Sequence, residues 1–151
     1  MLREPVSWSD LSIGLTFSSP GRTITETDVV TFAGNTADYS PIHVDHEFAR
    51  ASQFGGVIAH GLLGLSIAHG LMFGGGLLGH NAIAFLGMSD WNFRAPIMPG
   101  DTIRVDFEVA ELRRRSSVPD QGIVTFAVRV LNQRDHVVQE GRKALLLHAP
   151  T

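Results

Sequence analysis

The spacing of apolar and polar positions divides the chain into a helical half and a strand half. Residues 14–24, "GLTFSSPGRTI", are apolar enough only for a short strand and a turn. A helical period follows in "TETDVVTFAGNTAD", where Val29, Phe32 and Ala33 share a face. Thr25 is placed to cap this helix, and Glu26 and Asp28 sit in its first turn, where acidic groups complement the dipole. Residues 38–48, "DYSPIHVDHEF", break the period: Pro41 biases Ser40 toward an extended backbone and removes a donor. This segment is expected as a rigid, non-helical loop, with a short helix over residues 47–51 after it. The most apolar run, "VIAHGLLGLSIAHGLMFGGGLLG" at 57–79, is long enough to span a bilayer. Its two histidines and glycine cluster argue instead for a buried helix from near His60 to before Gly74, capped by a positive-φ glycine of residues 74–76.

Beyond this run, "AIAFLGMSDWNF", "TIRVDFEVAEL", "GIVTFAVRVLNQ" and "VVQEGRKALLLH" are rich in β-branched and aromatic residues with partial alternation. Pro99-Gly100 marks a turn and "NQRDH" a hairpin. The pattern predicts one α+β domain over residues 1–151, a buried helix lying against an antiparallel sheet.

Composition narrows the chemistry. With 151 residues, 44% hydrophobic and 18% charged, the chain can bury a single ordered core. A net charge of -3 offers no broad basic field for nucleic acid or an anionic membrane. The absence of cysteine excludes disulfides, thiolate catalysis and Cys-ligated zinc, and suits a reducing compartment. "MLREPVSWSD" lacks a leader pattern, so a cytoplasmic location is expected.

Several motifs dissolve on inspection. "GGGLLG" at 74–79 has the letters of a dinucleotide fingerprint but follows a helix, where that fingerprint follows a strand. "GLSIA" lacks the last glycine of a nucleophile elbow. His43, Asp45 and His46 do not have metal-ligand spacing, so no metal is expected. "RRR" at 113–115 reads as a solvated strand end, with phosphate binding as the alternative. Asp38 and His43 suit either a capped surface turn or a loop for general acid–base chemistry. Gly61, in the first turn of the buried helix, offers an N–H with no intrahelical partner, suited to a developing oxyanion.

"DYSPIH" resembles the D-x-N-P-x-H motif of (R)-specific enoyl-CoA hydratases in the MaoC-like dehydratase family. "FGGVIAHGLLGLSIA" resembles that family's glycine-led central helix, "WNFRAPIMPGDTI" its strand and turn, and "VLNQRDHVVQEG" its closing hairpin. The resemblance implies a hot-dog fold, a long central helix wrapped by a curved antiparallel sheet, as a homodimer or higher homo-oligomer. It implies an acyl-CoA thioester substrate, no cofactor, and reversible hydration of a trans-2-enoyl group to an (R)-3-hydroxyacyl product. Asp38 and His43 take the catalytic roles, the Gly61 N–H the oxyanion role, and Ser40, His60, Leu65, His69 and Met72 contact substrate. Leu62, Leu65, His69 and Met72 recur at helical spacing, which predicts a shared face. An imidazole buried there needs a partner, either in the fold, such as a backbone carbonyl, or on the substrate. Ser40 replaces the family's asparagine. A thioesterase on the same fold and a non-catalytic acyl-binding subunit are the alternatives.

Overall fold

A computed structural model describes residues 5–74 and 76–150, so Gly75 and the first four residues of the segment read for a leader lie outside it. Thr25 caps helix α1 (Glu26–Thr36) reciprocally: its hydroxyl accepts from the Asp28 amide and the Asp28 carboxylate accepts from the Thr25 amide, at 3.1 and 2.8 Å. The helix stops at Ala37, whose φ of +61° turns the chain toward Asp38.

The loop expected over residues 38–48 is partly helical, which corrects the reading of Pro41. Proline occupies the first position of a one-turn helix, α2 (Pro41–Val44), with Ser40 as its cap. At that position the missing N–H has no helical partner to lose and the fixed φ suits the helix. Asp45 then caps α3 (His46–Ala51), its carboxylate accepting from the amides of Glu47 and Phe48, both at 2.9 Å.

The long helix is α4 (Gly61–Phe73), and its residues Leu63, Ile67, Ala68 and Met72 are buried in the core. No helix among the described residues is long and apolar enough to cross a membrane. The glycine cluster ends α4 in a way the sequence did not disclose: Gly74 keeps a negative φ of −60°, and the positive value, +74°, falls at Gly76.

The strands are β1 (Thr16–Ser18), β2 (Arg22–Thr23), β3 (Ala82–Phe93), β4 (Thr102–Arg114), β5 (Gln121–Leu131) and β6 (Val137–His148). They form an antiparallel sheet in the order β1-β4-β5-β6-β3, with β2 also paired to β4. Ile103, Val105, Phe107 and Val109 alternate along β4, and Val124, Phe126, Val128 and Val130 along β5, burying one face of the sheet in the same core as α4. Bulges interrupt β3 and β4 and bend them. The result is the α+β hot-dog arrangement, a long helix held against an antiparallel sheet. Edge strand β3 is different: Ile83, Phe85, Leu86, Met88 and Phe93 are all exposed.

Candidate active site

The left-handed turn at Ala37, the one-turn helix α2 and the start of α4 bring Asp38, His43 and His60 together. One ligand-type atom from each lies within 4.8 Å of the others. His43 Nδ1 is 2.7 Å from the Ile58 carbonyl, which only accepts, so Nδ1 carries the hydrogen. In the neutral ring the lone pair is therefore on Nε2, the atom a general base uses. His60 Nε2 donates to the Asp38 carbonyl at 3.0 Å, and its ring stacks on His43 with centroids 3.8 Å apart. His60 Nδ1 is the buried side-chain atom left without a hydrogen-bond partner among the described residues.

Asp38 is exposed and bonded locally. The Ser40 hydroxyl donates to its Oδ1 at 2.6 Å, and the Ser40 amide donates to the same oxygen at 3.2 Å. These two bonds, the hydroxyl's first, hold the Asp38 carboxyl below the ordinary aspartate range, aided by His60 and His43 nearby. The acid is thus ionised at neutral pH.

Beside this group lies a cavity of about 400 Å³ whose lining includes His43, His60, Gly61, Phe93, Ile97 and Gln139. Gly61 opens α4, and a Cβ there would sit 2.8 Å from the Phe93 ring, so no larger residue fits without moving that ring. A larger hollow of about 1140 Å³ lies over the outer sheet face, among the ion pairs Arg94–Glu140 and Arg104–Asp106, and includes neither His43 nor Gly61.

Other expected site residues lie elsewhere. Leu65, His69 and Met72 do not line the 400 Å³ cavity, and Met72 belongs to the core. The expected shared face also separates into environments: Leu62 is exposed, Leu65 and His69 are half-buried and Met72 is buried. The partner found for His69 lies in the fold, as one of the two expectations had it, but it is a side chain and not a backbone carbonyl. Its Nδ1 is 3.5 Å from Lys143 Nζ, and its ring packs against Phe73 and Phe85, with centroids 4.9 and 4.7 Å away. Burial first, then Lys143, pushes the His69 pKa down. The Lys143 ammonium is itself buried, 4.9 Å from the centre of the Trp91 ring, and burial lowers its pKa to about 8.

Neighbours of the loop serve the fold. Asp45 caps α3 and His46 pairs with Glu26 at 2.6 Å, so the spacing His43–Asp45–His46 marks no joint site. Of the arginine run, Arg114 donates to the Ala149 carbonyl and lies over Trp8, while Arg115 donates to Gln121. Sequence reasoning missed Gln139 and Lys143. The signal was available, since both alternate with the apolar Leu145 and Leu147 on the buried face of β6.

Comparisons with known proteins give the family of the chain. The chain is 40% identical to a 3-hydroxybutyryl-CoA dehydratase of Methylorubrum extorquens over 72% of its length and 69% of the relative's. It is 33% identical to an (R)-specific enoyl-CoA hydratase of Rhodospirillum rubrum over 87% of its length and 85% of the relative's. A crystal structure of a MaoC-like dehydratase from Rhodospirillum rubrum superposes with a TM-score of 0.86 at 32% identity, covering 97% of this chain and 99% of that one. Residues 11–130 match the model of the MaoC like domain, and the chain belongs to that family of hydratases and dehydratases.

Proposed function

We propose that the protein adds water across the double bond of trans-2-enoyl-CoA thioesters to give (R)-3-hydroxyacyl-CoA, and catalyses the reverse dehydration. The reading rests on one observation: the ionised Asp38 clusters with His43 and His60 beside a cavity lined by His43, His60 and Gly61, the first residue of α4. The thioester makes the β-carbon electrophilic because charge can move onto the carbonyl oxygen. Asp38 and His43 orient a water molecule; His43 Nε2 takes its proton as oxygen attacks, and the pair returns a proton to the α-carbon. The Gly61 N–H holds the enolate-like oxygen, a contribution of about 3 kcal/mol for a donor of this kind. The relatives' names support the R stereochemistry and the thioester substrate. No cofactor enters these steps. Leu65, His69 and Met72 lie farther along α4 and outside this cavity, so they carry no step of the reading. A second copy of the chain covers the apolar edge at β3.

The test is purified protein with crotonyl-CoA. Loss of enoyl absorbance with the thioester intact supports hydration; release of free thiol supports a thioesterase, and binding without either supports a silent subunit. Asp38→Asn and His43→Ala are each expected to lower turnover by about 10²-fold or more with the fold intact. Near-normal turnover in both variants removes the assignment.

A further inference from the structure

The buried amide of Gln139 takes no part in those steps, yet it lines the cavity beside Gly61 and is only 2% exposed. Its two ends have different partners. The Trp91 indole N–H can only donate, and it reaches Gln139 Oε1 at 3.2 Å, so the amide oxygen is the end turned toward β3. Nε2 is then the end at the helix, where it donates to the Gly61 carbonyl at 3.0 Å. Two glycines make room for this link. A Cβ on Gly64 would stand 2.6 Å from Gln139 Nε2, and one on Gly141 would stand 2.7 Å from the Trp91 ring. Lys143 Nζ covers the same ring. An apolar residue would fill this inner position of β6 without the cost of desolvating an amide, as Leu145 and Leu147 do on the same face. Packing therefore does not account for glutamine here.

We propose that Gln139 is a positioning residue for the reaction: it ties the first residue of α4 to β6 and so holds in place the helix start that carries the Gly61 N–H. The proposal rests on the reading of Gly61 as the oxyanion donor. Phe93 excludes a side chain at position 61, and glycine brings backbone freedom that a directional donor has to lose. The bond from Gln139 to the carbonyl of that same residue restrains its ψ, while the His60 carbonyl, in one peptide plane with the Gly61 N–H, is held by the Gly64 amide at 3.1 Å, so the glycine is anchored on both sides. Trp91, which does not line the cavity, acts one step back by holding the amide in the orientation that presents Nε2.

Gln139→Met keeps an unbranched side chain of similar length without the amide. In steady-state hydration of crotonyl-CoA, kcat is expected to fall between about tenfold and 10²-fold, with KM within about twofold of wild type, because the lost interaction acts on the transition state. Trp91→Phe lowers kcat in the same direction by less, and the double variant is no slower than Gln139→Met, because both changes break one link. A residue that only packs would give additive losses of thermal stability and leave kcat per folded molecule unchanged. A folded Gln139→Met variant with wild-type kcat, or one whose loss lies in KM, overturns the proposal while leaving the hydratase reading in place. If Gln139→Met does not fold, wild-type kcat in Trp91→Phe overturns it. A wild-type protein that binds crotonyl-CoA without hydrating it overturns both readings.

Discussion

Ser40 stands where the family's motif has asparagine, and its short side chain still reaches Asp38 because the two residues are only two apart in the turn before α2. The hydroxyl stabilises the ionised carboxylate, which keeps Asp38 below the usual range. Ser40→Ala removes the larger of the two bonds, so the Asp38 pKa moves up toward the ordinary value. The Asp38 carboxyl is expected to titrate at higher pH in this variant, read from its side-chain carbon shift by NMR; an unmoved titration would separate Ser40 from the ionisation of Asp38. Lys143 gives the opposite kind of case. Its pKa is about 8 in the fold against 10.5 for the free side chain, so the unfolded chain binds the extra proton between those values. The penalty for burying the charge is present in full below about pH 8 and is relieved as pH rises toward 10.5. Lys143→Met is therefore expected to melt at higher temperature than wild type at neutral pH, with the difference shrinking in alkaline buffer. A pH-independent difference would mean that packing, not charge, sets it.

At the scale of elements, α4 shows how one residue type does different things in one helix. Glycine costs a helix interior about 1 kcal/mol relative to alanine, and α4 carries it at positions 64 and 70. A Cβ at Gly64 would meet Gln139 Nε2 at 2.6 Å and Ile97 Cδ1 at 2.7 Å, whereas one at Gly70 would meet nothing within 4 Å. Gly70→Ala is expected to raise stability by about 0.5–1 kcal/mol. Gly64→Ala gains the same helix propensity but overpacks the helix–sheet contact, typically a cost of about 1–3 kcal/mol, so its net effect is destabilising. Chemical denaturation of the two variants reads both signs; equal effects would show that the sheet does not press on Gly64. The beginning of α4 is governed likewise by its neighbours, since Phe93 selects glycine at 61 and Gln139 holds it.

For the whole molecule, the unusual feature is an edge strand with apolar residues exposed on both of its faces. Among the described residues β3 pairs only with β6, and Phe85, Leu86 and Met88 remain exposed. An exposed edge of this kind is a template for further pairing unless something covers it. The proposed cover is a second copy of the chain, so sedimentation should show a dimer or a larger homo-oligomer. A variant carrying Leu86→Lys and Met88→Lys should shift toward monomer, because two charges would then be buried at the contact. A monomeric wild-type protein would mean that the edge is covered in another way or not at all.

Period and punctuation alone were enough to place α1, the long helix, the four long strands and the hairpin at residues 132–136, because each element carries its own apolar spacing and its own stop. The motif around Pro41 likewise made Asp38 and His43 candidates, and the start of the long helix made Gly61 one. Local rules failed where two of them competed. Proline opposes helix in general and favours its first position in particular, and the segment took the second course at Pro41. Gly74 and Gly76 offered the same φ freedom, and of these two it is Gly76 that takes a positive value. The tertiary structure alone decided which atoms face one another: that Ile58 fixes the tautomer of His43, that His69 meets Lys143, and that Gln139 spans from Trp91 to Gly61. Those partners are 15, 74, 48 and 78 residues apart in the chain. A sequence period records which side of an element is buried, but the pairing of polar atoms across the core depends on how helix and sheet are packed together.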